Sequence, residues 1–164
     1  MSSKQRQDPQ RQELMQALGT AMELFQDATD AFDDTAAVAL GLNRTDLKCV
    51  SIIVRHGPVA AGDIARYTGL TRGAMTTALD RIERAGYARR RPDPNDRRGV
   101  LMELTEKGRE ALDAIWGVYI READTFFAGY TTAELETIRR FLVHAREVQD
   151  ANRTRVSGLR LGAS

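Results

Sequence analysis

The strongest constraint on the fold is an abrupt change in hydrophobic spacing at Gly86. Over Met75–Ile82, apolar residues recur every three or four positions, which is the spacing of a helix with one buried face. After the glycine, Tyr87–Arg91 and Gly99–Leu104 have the composition of two short strands, and the turn-forming residues of Pro92–Arg98 lie between them. The pattern predicts a helix that leads directly into a β-hairpin with a long, charged tip.

Hydrophobic periodicity and capping residues predict four helices before this hairpin and two after it. The helices are expected over Pro9–Leu40, Thr45–Arg55, Ala61–Tyr67, Thr71–Ala85, Thr105–Ala128 and Thr132–Asp150. Asn43 or Thr45 can cap the second helix, and Thr71 and Thr131 are suited to cap the fourth and the last.

The third and fourth helices are joined by a short glycine-containing turn, Thr68–Leu70, and the hairpin follows the fourth helix. Two helices in this arrangement, with a strand pair attached, form a winged helix-turn-helix whose second helix enters the major groove of DNA. We therefore expect a mostly α fold with a small β-hairpin wing, in which residues 43–105 form the DNA-binding domain.

The exposed side of the fourth helix has the composition that a DNA contact requires. Its candidate contacts, which lie off the apolar face, are Thr71, Arg72, Gly73, Thr76, Thr77 and Arg81. Arg72 can donate two hydrogen bonds to a guanine edge, and the threonines can contact thymine methyls or phosphates. An ordinary solvated helix face has a similar composition, so the DNA prediction depends on the hairpin as well.

Basic residues are concentrated in the hairpin and in the end of the helix before it. Residues 81–98 contain seven arginines against three acids, a local charge of +4 in a chain whose net charge is +1. Arg97 and Arg98 at the hairpin tip suit a narrow minor groove, where the negative potential is deepest. Asp96 is expected to pair with Arg98 and to fix the tip.

The first strand of the hairpin carries consecutive arginines that can follow the phosphate backbone. Because strand side chains alternate, Arg89 and Arg91 share one face and Arg90 has the other. Only one of these faces can meet DNA. Arg89 and Arg90 are the candidate DNA contacts of this strand.

Two segments, Leu79–Arg90 and Asp93–Gly108, resemble the signature of the MarR family of transcription regulators. In that family a recognition helix ends in leucine-glutamate-x-x-glycine, an aspartate-x-arginine wing follows, and leucine-threonine and glycine come next. The resemblance is dense from Asn43 to Leu112. The start of the second helix, Leu42–Asp46, departs from the leucine-threonine and glutamine of many members, so that cap geometry is not carried over.

The resemblance implies an obligate homodimer with N- and C-terminal dimerisation helices and two reading heads on a pseudo-palindromic double-stranded operator. Apolar stripes at both ends of the chain agree with it, because exposed stripes of this size mark interfaces. The candidate interface residues are Leu14, Leu18, Phe25, Leu135, Ile138 and Leu142. The expected organisation is a mobile leader (1–8), a dimerisation helix (9–42), the DNA-binding domain, C-terminal helices (106–150) and a mobile tail (151–164).

The function implied is transcription regulation, with repression as the expected mode. Members of the family often bind small phenolic or aromatic anions between the dimer helices and the reading head. Trp116 and Tyr119 are candidates for such an effector cleft, although core or interface packing is the simpler interpretation of both.

Two other functions use the same fold. A winged helix can serve protein–protein contact without DNA, although that role does not require an arginine pair in the wing. A redox sensor would use Cys49, which is the single cysteine. Its neighbours Leu47, Val50 and Ile53 favour a buried, inert thiol.

Other classes of function find little support. The sequence contains no glycine-rich phosphate loop and no evident nucleophile–histidine pair, so an enzyme is not expected. With Cys49, His56 and His144 as the only cysteine and histidines, neither a metal site nor a cofactor is expected. No apolar run approaches the roughly 20 residues of a membrane span, and a cytoplasmic location is expected.

Overall fold

The computed structural model describes residues 8–159, apart from the side chains of Arg97 and Arg98. It is mostly helical, with a small antiparallel sheet, as the sequence predicts. In chain order the elements are α1 (Pro9–Ala39), α2 (Arg44–His56), β1 (Val59–Ala60), α3 (Ala61–Thr68), α4 (Arg72–Ala85), β2 (Ala88–Asp93), β3 (Asp96–Leu104), α5 (Glu106–Arg121), α6 (Ala123–Phe127) and α7 (Thr132–Ser157).

Helix starts follow their capping residues closely. The Asn43 side chain accepts a hydrogen bond from the backbone N–H of Asp46 at 2.9 Å and so caps α2. Thr71 caps α4 in the same way. Thr131 and Glu134 form a reciprocal capping box at the start of α7. These caps satisfy backbone donors that have no partner within the helix, and they fix where each helix begins.

The ends of the two long C-terminal helices differ most from the expectation. Instead of running to Ala128, α5 ends at Arg121, and a separate short helix, α6, follows. Glu122 between them has φ −97° and ψ 2°, outside helical geometry. At the other end, α7 continues past Asp150 to Ser157, because its last turns contain no helix breaker before Gly158. The predicted mobile leader and the end of the predicted tail, residues 1–7 and 160–164, lie outside the described residues.

The sheet has the strand order β1-β3-β2, with antiparallel pairing throughout. The short strand β1 is absent from the sequence-based expectation and adds an edge to the hairpin, with Val59 opposite Met102. Fully buried side chains from α2, α3, α4 and the sheet form one core, centred on Ile53, Ile64, Leu79, Ile82 and Met102. We call residues 43–105, which contain this core, the reading head.

A second cluster joins the C-terminal end of α1 to α2 and α5. Ala36, Ala37, Leu40 and Leu47 are buried in it, and Trp116 packs at its border. On the polar side of α1, Arg44 pairs with the carboxylates of Asp30 (2.5 Å) and Asp34 (3.2 Å). The carboxylates of Asp30 and Asp34 thus help to hold α2 against α1.

The chain divides into two compact units, residues 1–117 and 118–164. The second unit contains the end of α5, α6 and α7, and no residue of α6 or α7 is fully buried. Within residues 8–159, no helix combines the length and the hydropathy that crossing a bilayer requires.

Candidate nucleic-acid interface

Helices α3 and α4 form a helix-turn-helix. Gly69 ends α3 with φ +74°, a left-handed conformation that favours glycine, and its N–H donates to the carbonyl of Ala65. Two residues later α4 begins after its Thr71 cap. Met75, Ala78, Leu79 and Ile82 point into the core, so the opposite side of α4 faces solvent.

All the candidate contacts in the first half of α4 are exposed. The hydroxyls of Thr76 and Thr77 donate to the carbonyls of Arg72 and Gly73, each at 3.1 Å. Their methyl groups and oxygen lone pairs can therefore contact a ligand, whereas their hydroxyl protons are hydrogen-bonded to the helix backbone. Among the described residues, the Arg72 side chain has no hydrogen-bond or ion-pair partner.

Arg81 is held very differently from Arg72. Its Nε and Nη2 atoms donate to the two carboxylate oxygens of Asp46 at 2.8 and 2.6 Å, in a two-point ion pair between α4 and α2. The Asp46 side chain is 1% exposed and that of Arg81 is 37% exposed. Donation of these hydrogen bonds to the carboxylate raises the pKa of Arg81 above its ordinary value. The DNA contact expected of Arg81 stays a prediction.

The strand arginines are also paired within the reading head. Arg89 donates to Glu103 at 2.8 Å, and Arg91 lies 2.9 Å from the same carboxylate, which confirms that they share a face. Arg90 lies on the other face and pairs with Glu83 and with Asp80 (2.6 Å) of α4. Hydrogen bonding to Asp80 is the main cause that raises the pKa of Arg90.

The hairpin is longer, and its turn shorter, than expected. Its strands extend to Asp93 and from Asp96, which leaves Pro94 and Asn95 as the turn. The Asp93 carboxylate accepts from the backbone N–H of Asn95 at 2.8 Å. The register shifts after Pro92, and a Cβ on Gly99 would lie 2.9 Å from that of Asp93. The predicted Asp96–Arg98 pair and the predicted wing-tip contacts depend on the side chains of Arg97 and Arg98, which lie outside the described part of the structure.

The base of the wing is fixed by a tight junction with α5. The Thr105 hydroxyl donates to the carbonyl of Gly86 at 2.6 Å and accepts from the N–H of Gly108. A Cβ on Gly108 would lie 2.1 Å from the Tyr87 carbonyl oxygen, so only glycine fits there. The Tyr87 hydroxyl donates to the Leu40 carbonyl at 3.0 Å, which ties the wing to the end of α1.

Comparison with known proteins identifies the family to which this chain is similar. A model of the MarR family matches residues 40–99. The HTH-type transcriptional regulator YcgE of Bacillus subtilis is 36% identical over 134 residues, which are 80% of this chain and 87% of YcgE. The chain belongs to the MarR family.

Other relatives of this MarR-family protein agree. The multiple antibiotic resistance protein MarR of Salmonella typhimurium is 30% identical over 91 residues, which are 56% of this chain and 63% of that protein. The solved structure of a MepR mutant from a multidrug resistant S. aureus clinical isolate has a TM-score of 0.65 at 16% identity, covering 80% of this chain and 96% of its own. The MarR-family regulator SP03579 has a TM-score of 0.62 at 20% identity, covering 88% and 95%.

Membership of the MarR family makes this protein a transcription regulator, and DNA binding belongs to the family's function. The winged helix-turn-helix fold is shared with its structural neighbours.

The single cysteine of the MarR-family chain is buried. Cys49 is fully inaccessible in the core of the reading head, and desolvation by burial, with a smaller contribution from the charge of Asp46, raises the pKa of its thiol to about 11. A thiol that stays protonated and out of contact with solvent is a poor sensor of oxidants.

The two candidate effector residues have different surroundings. Trp116 packs edge-on against Phe32, with ring centroids 5.9 Å apart, as part of the second cluster. Tyr119 is exposed and lines an open cavity of about 590 Å³ with Val118, Phe126 and Phe127. Of the two, Tyr119 is therefore the residue that a ligand could reach directly.

The acidic partners of the arginines were missed from the sequence. Asp46, Asp80, Glu83 and Glu103 each hold an arginine that is 7 to 35 residues away. Local patterns do not reveal such pairs. The departure from the family pattern at Asp46 was the one available signal.

Proposed function

We propose that this protein is a homodimeric, sequence-specific transcription repressor that places α4 in the major groove and the wing in the minor groove. The observation that carries the proposal is the exposed first half of α4, where the Arg72 side chain has no hydrogen-bond or ion-pair partner among the described residues. Residues at the start of a recognition helix are those that reach base edges.

Within this proposal the residues divide by role. Arg72 reads a base, because its guanidinium can donate two hydrogen bonds to guanine. Thr76 and Thr77 present methyl groups to thymine, since their hydroxyl protons bond to the helix backbone. Arg97 contacts the minor groove, and Arg89 and Arg90 serve mainly to stiffen the wing through Glu103, Asp80 and Glu83.

The dimer is supported by apolar side chains exposed on the terminal helices. On α1, Leu14, Leu18 and Phe25 are 60, 48 and 69% exposed. On α7, Leu142 is exposed, and Leu135 and Ile138 are half-buried. Leu14, Leu18 and Phe25 follow the spacing of one helix face, and such a face is stable in water when a second copy covers it.

DNA binding is tested on duplexes that the wild-type protein selects from a random-sequence pool. Arg72→Ala should weaken binding by about 1–3 kcal/mol in each half-site and relax base preference at one position there. Arg97→Ala should weaken binding to all sequences and reduce the salt slope by about one unit for each phosphate that is no longer neutralised. If both variants melt and bind like wild type, the protein–protein alternative replaces this proposal.

Regulation by a small aromatic effector is a second element of the proposal. The cavity beside Tyr119 has a volume suited to a small molecule and is lined mostly by apolar side chains. Glu122 also lines it, so a neutral phenol should bind better than an aromatic carboxylate. Calorimetry with 1-naphthol and 1-naphthoate tests this preference, and tighter binding of the carboxylate would contradict it.

A further inference from the structure

The Asp46–Arg81 pair stands out among the ion pairs of the reading head because it joins the recognition helix to a buried carboxylate. Asp46 lies in the first turn of α2, and Arg81 lies 35 residues later in α4. The Asp46 side chain is 1% exposed. Burial of a charged group is unfavourable unless the group is well paired, so this carboxylate is committed to Arg81.

Asp46 uses only one edge of the Arg81 guanidinium. Nε and Nη2 donate to it, whereas Nη1 has no hydrogen-bond partner among the described residues. More than a third of the Arg81 side chain is open to solvent. The ion pair therefore holds a guanidinium in a fixed orientation with its second edge outward.

The position of Arg81 on α4 favours phosphate over bases for that outward edge. Nine residues separate it from Arg72, which places the two about 14 Å apart along the axis and half a turn apart around it. The two residues therefore lie on opposite flanks of α4, one on each side of its core-facing surface. Residues at the N-terminal end of a recognition helix, where Arg72 lies, reach the base edges. Arg81 lies near the other end of α4, where a flank of a helix in a groove about 12 Å wide faces the phosphate strands that border it.

We propose that Asp46 is a positioning residue that holds Arg81 so that Nη1 contacts a DNA phosphate beside the groove. This inference rests on the proposed DNA-binding function and adds a residue that does not itself touch DNA. It also gives Arg81, so far a candidate DNA contact without an assigned role, the role of fixing the docking position of α4. Phosphate contacts of this kind set orientation and carry no sequence information directly.

The Asp46→Asn variant distinguishes a positioning role from a simple effect of net charge, because the two predict opposite changes in DNA affinity. Removing a negative charge near DNA should tighten binding if only the net charge matters. If Asp46 positions Arg81, the Asp46→Asn variant should bind the selected duplex more weakly, with unchanged base preference. Asp124→Asn, an exposed carboxylate on α6, makes the same charge change and should not weaken binding.

The salt dependence identifies the phosphate contact itself. Arg81→Met should lower the slope of log K against log salt by about 0.9 for each phosphate, or about 1.8 for a dimer. Asp46→Leu combined with Arg81→Met replaces the pair by apolar groups of similar size, a change that buried ion pairs often tolerate. This double variant guards against misfolding of the single ones and should show the same reduction in slope as Arg81→Met.

The outcomes distinguish this inference from the proposed function. Absence of wild-type binding to any duplex overturns both. Wild-type slopes in folded Arg81→Met or in the double variant overturn the phosphate contact. Binding by Asp46→Asn as tight as wild type or tighter overturns the positioning role. A loss of base preference in Arg81→Met would show that Arg81 reads a base.

Discussion

The reading head and the terminal helices bury their large apolar side chains to very different extents. In the head, Ile64 and Ile82 are fully inaccessible and Leu79 is 2% exposed. On α1 and α7, Phe25 and Leu142 are more than half exposed. The buried core of the head thus consists of its own residues, with Leu42 and Leu112 packed against it, whereas the terminal helices keep apolar surface that a single chain leaves open.

The charged residues show the same division. Several arginines of the head are held by acids of neighbouring elements, as Arg81 is by Asp46 and Arg90 by Asp80. On α7 the ion pairs join residues three apart on one helix, such as Glu136 and Arg139. Pairs between elements fix a tertiary arrangement, whereas pairs within a helix contribute only tenths of a kcal/mol to the helix itself. The ion pairs of the head therefore fix how its elements pack, whereas those of α7 act within one helix.

The largest effect is expected from Gly108→Ala at the base of the wing. The added methyl group would lie 2.1 Å from the Tyr87 carbonyl oxygen, so the junction of the wing with α5 must shift. We expect the free energy of unfolding to fall by about 3 kcal/mol, at the upper end of overpacking effects. Gly129→Ala, which meets nothing within 4 Å, is the matched control from the other unit. Equal free energies of unfolding of the two variants, measured in urea, would contradict the difference proposed between the tightly packed head and the C-terminal unit.

A smaller effect is expected from Leu18→Asp or Leu142→Asp on the terminal helices. A charge in an apolar interface is left without a partner, so the dimer dissociation constant should rise by about 30-fold or more. The helical circular-dichroism spectrum of the protein should be unchanged, because the substitution does not touch the core of the reading head. Sedimentation equilibrium measures the constant, with Thr20→Ala of α1 as a control on the polar side. A monomeric wild type at micromolar concentration would contradict the proposed dimer.

No effect on DNA binding is expected from mild peroxide. Burial raises the pKa of Cys49 to about 11, so at pH 7–8 the thiol stays protonated and reacts slowly. Above pH 9, where an unfolded-state thiol ionises, this group should reduce stability as the pH rises toward 11. Release of DNA by peroxide that Cys49→Ala abolishes would restore the redox alternative.

Local signals in the sequence were sufficient for the helix starts of the reading head and insufficient for its shortest strand and its ion pairs. The starts of α2 and α4 follow Asn43 and Thr71 because a cap acts on residues next to it in the chain. Strand β1 was missed, since two residues carry no periodicity and its partner Met102 is distant in sequence. The role of Asp46 was missed for the same reason.

The ends of the C-terminal helices were also beyond local patterns. The interruption at Glu122 is marked by neither glycine nor proline, so a continuous α5 was the natural expectation. Residues 151–157 were assigned to a mobile tail because they are small, polar and basic, yet the helix continues there and Asp150 pairs with Arg153 at 3.7 Å.

Stoichiometry and footprint on a selected duplex test the central claim most directly. Sedimentation of the complex should give two chains per duplex. Hydroxyl-radical cleavage should then show two protected half-sites whose centres lie about 10 base pairs, one helical turn, or a multiple of it apart. One chain per duplex, or a single protected segment, would contradict the proposed dimer with two DNA-binding heads.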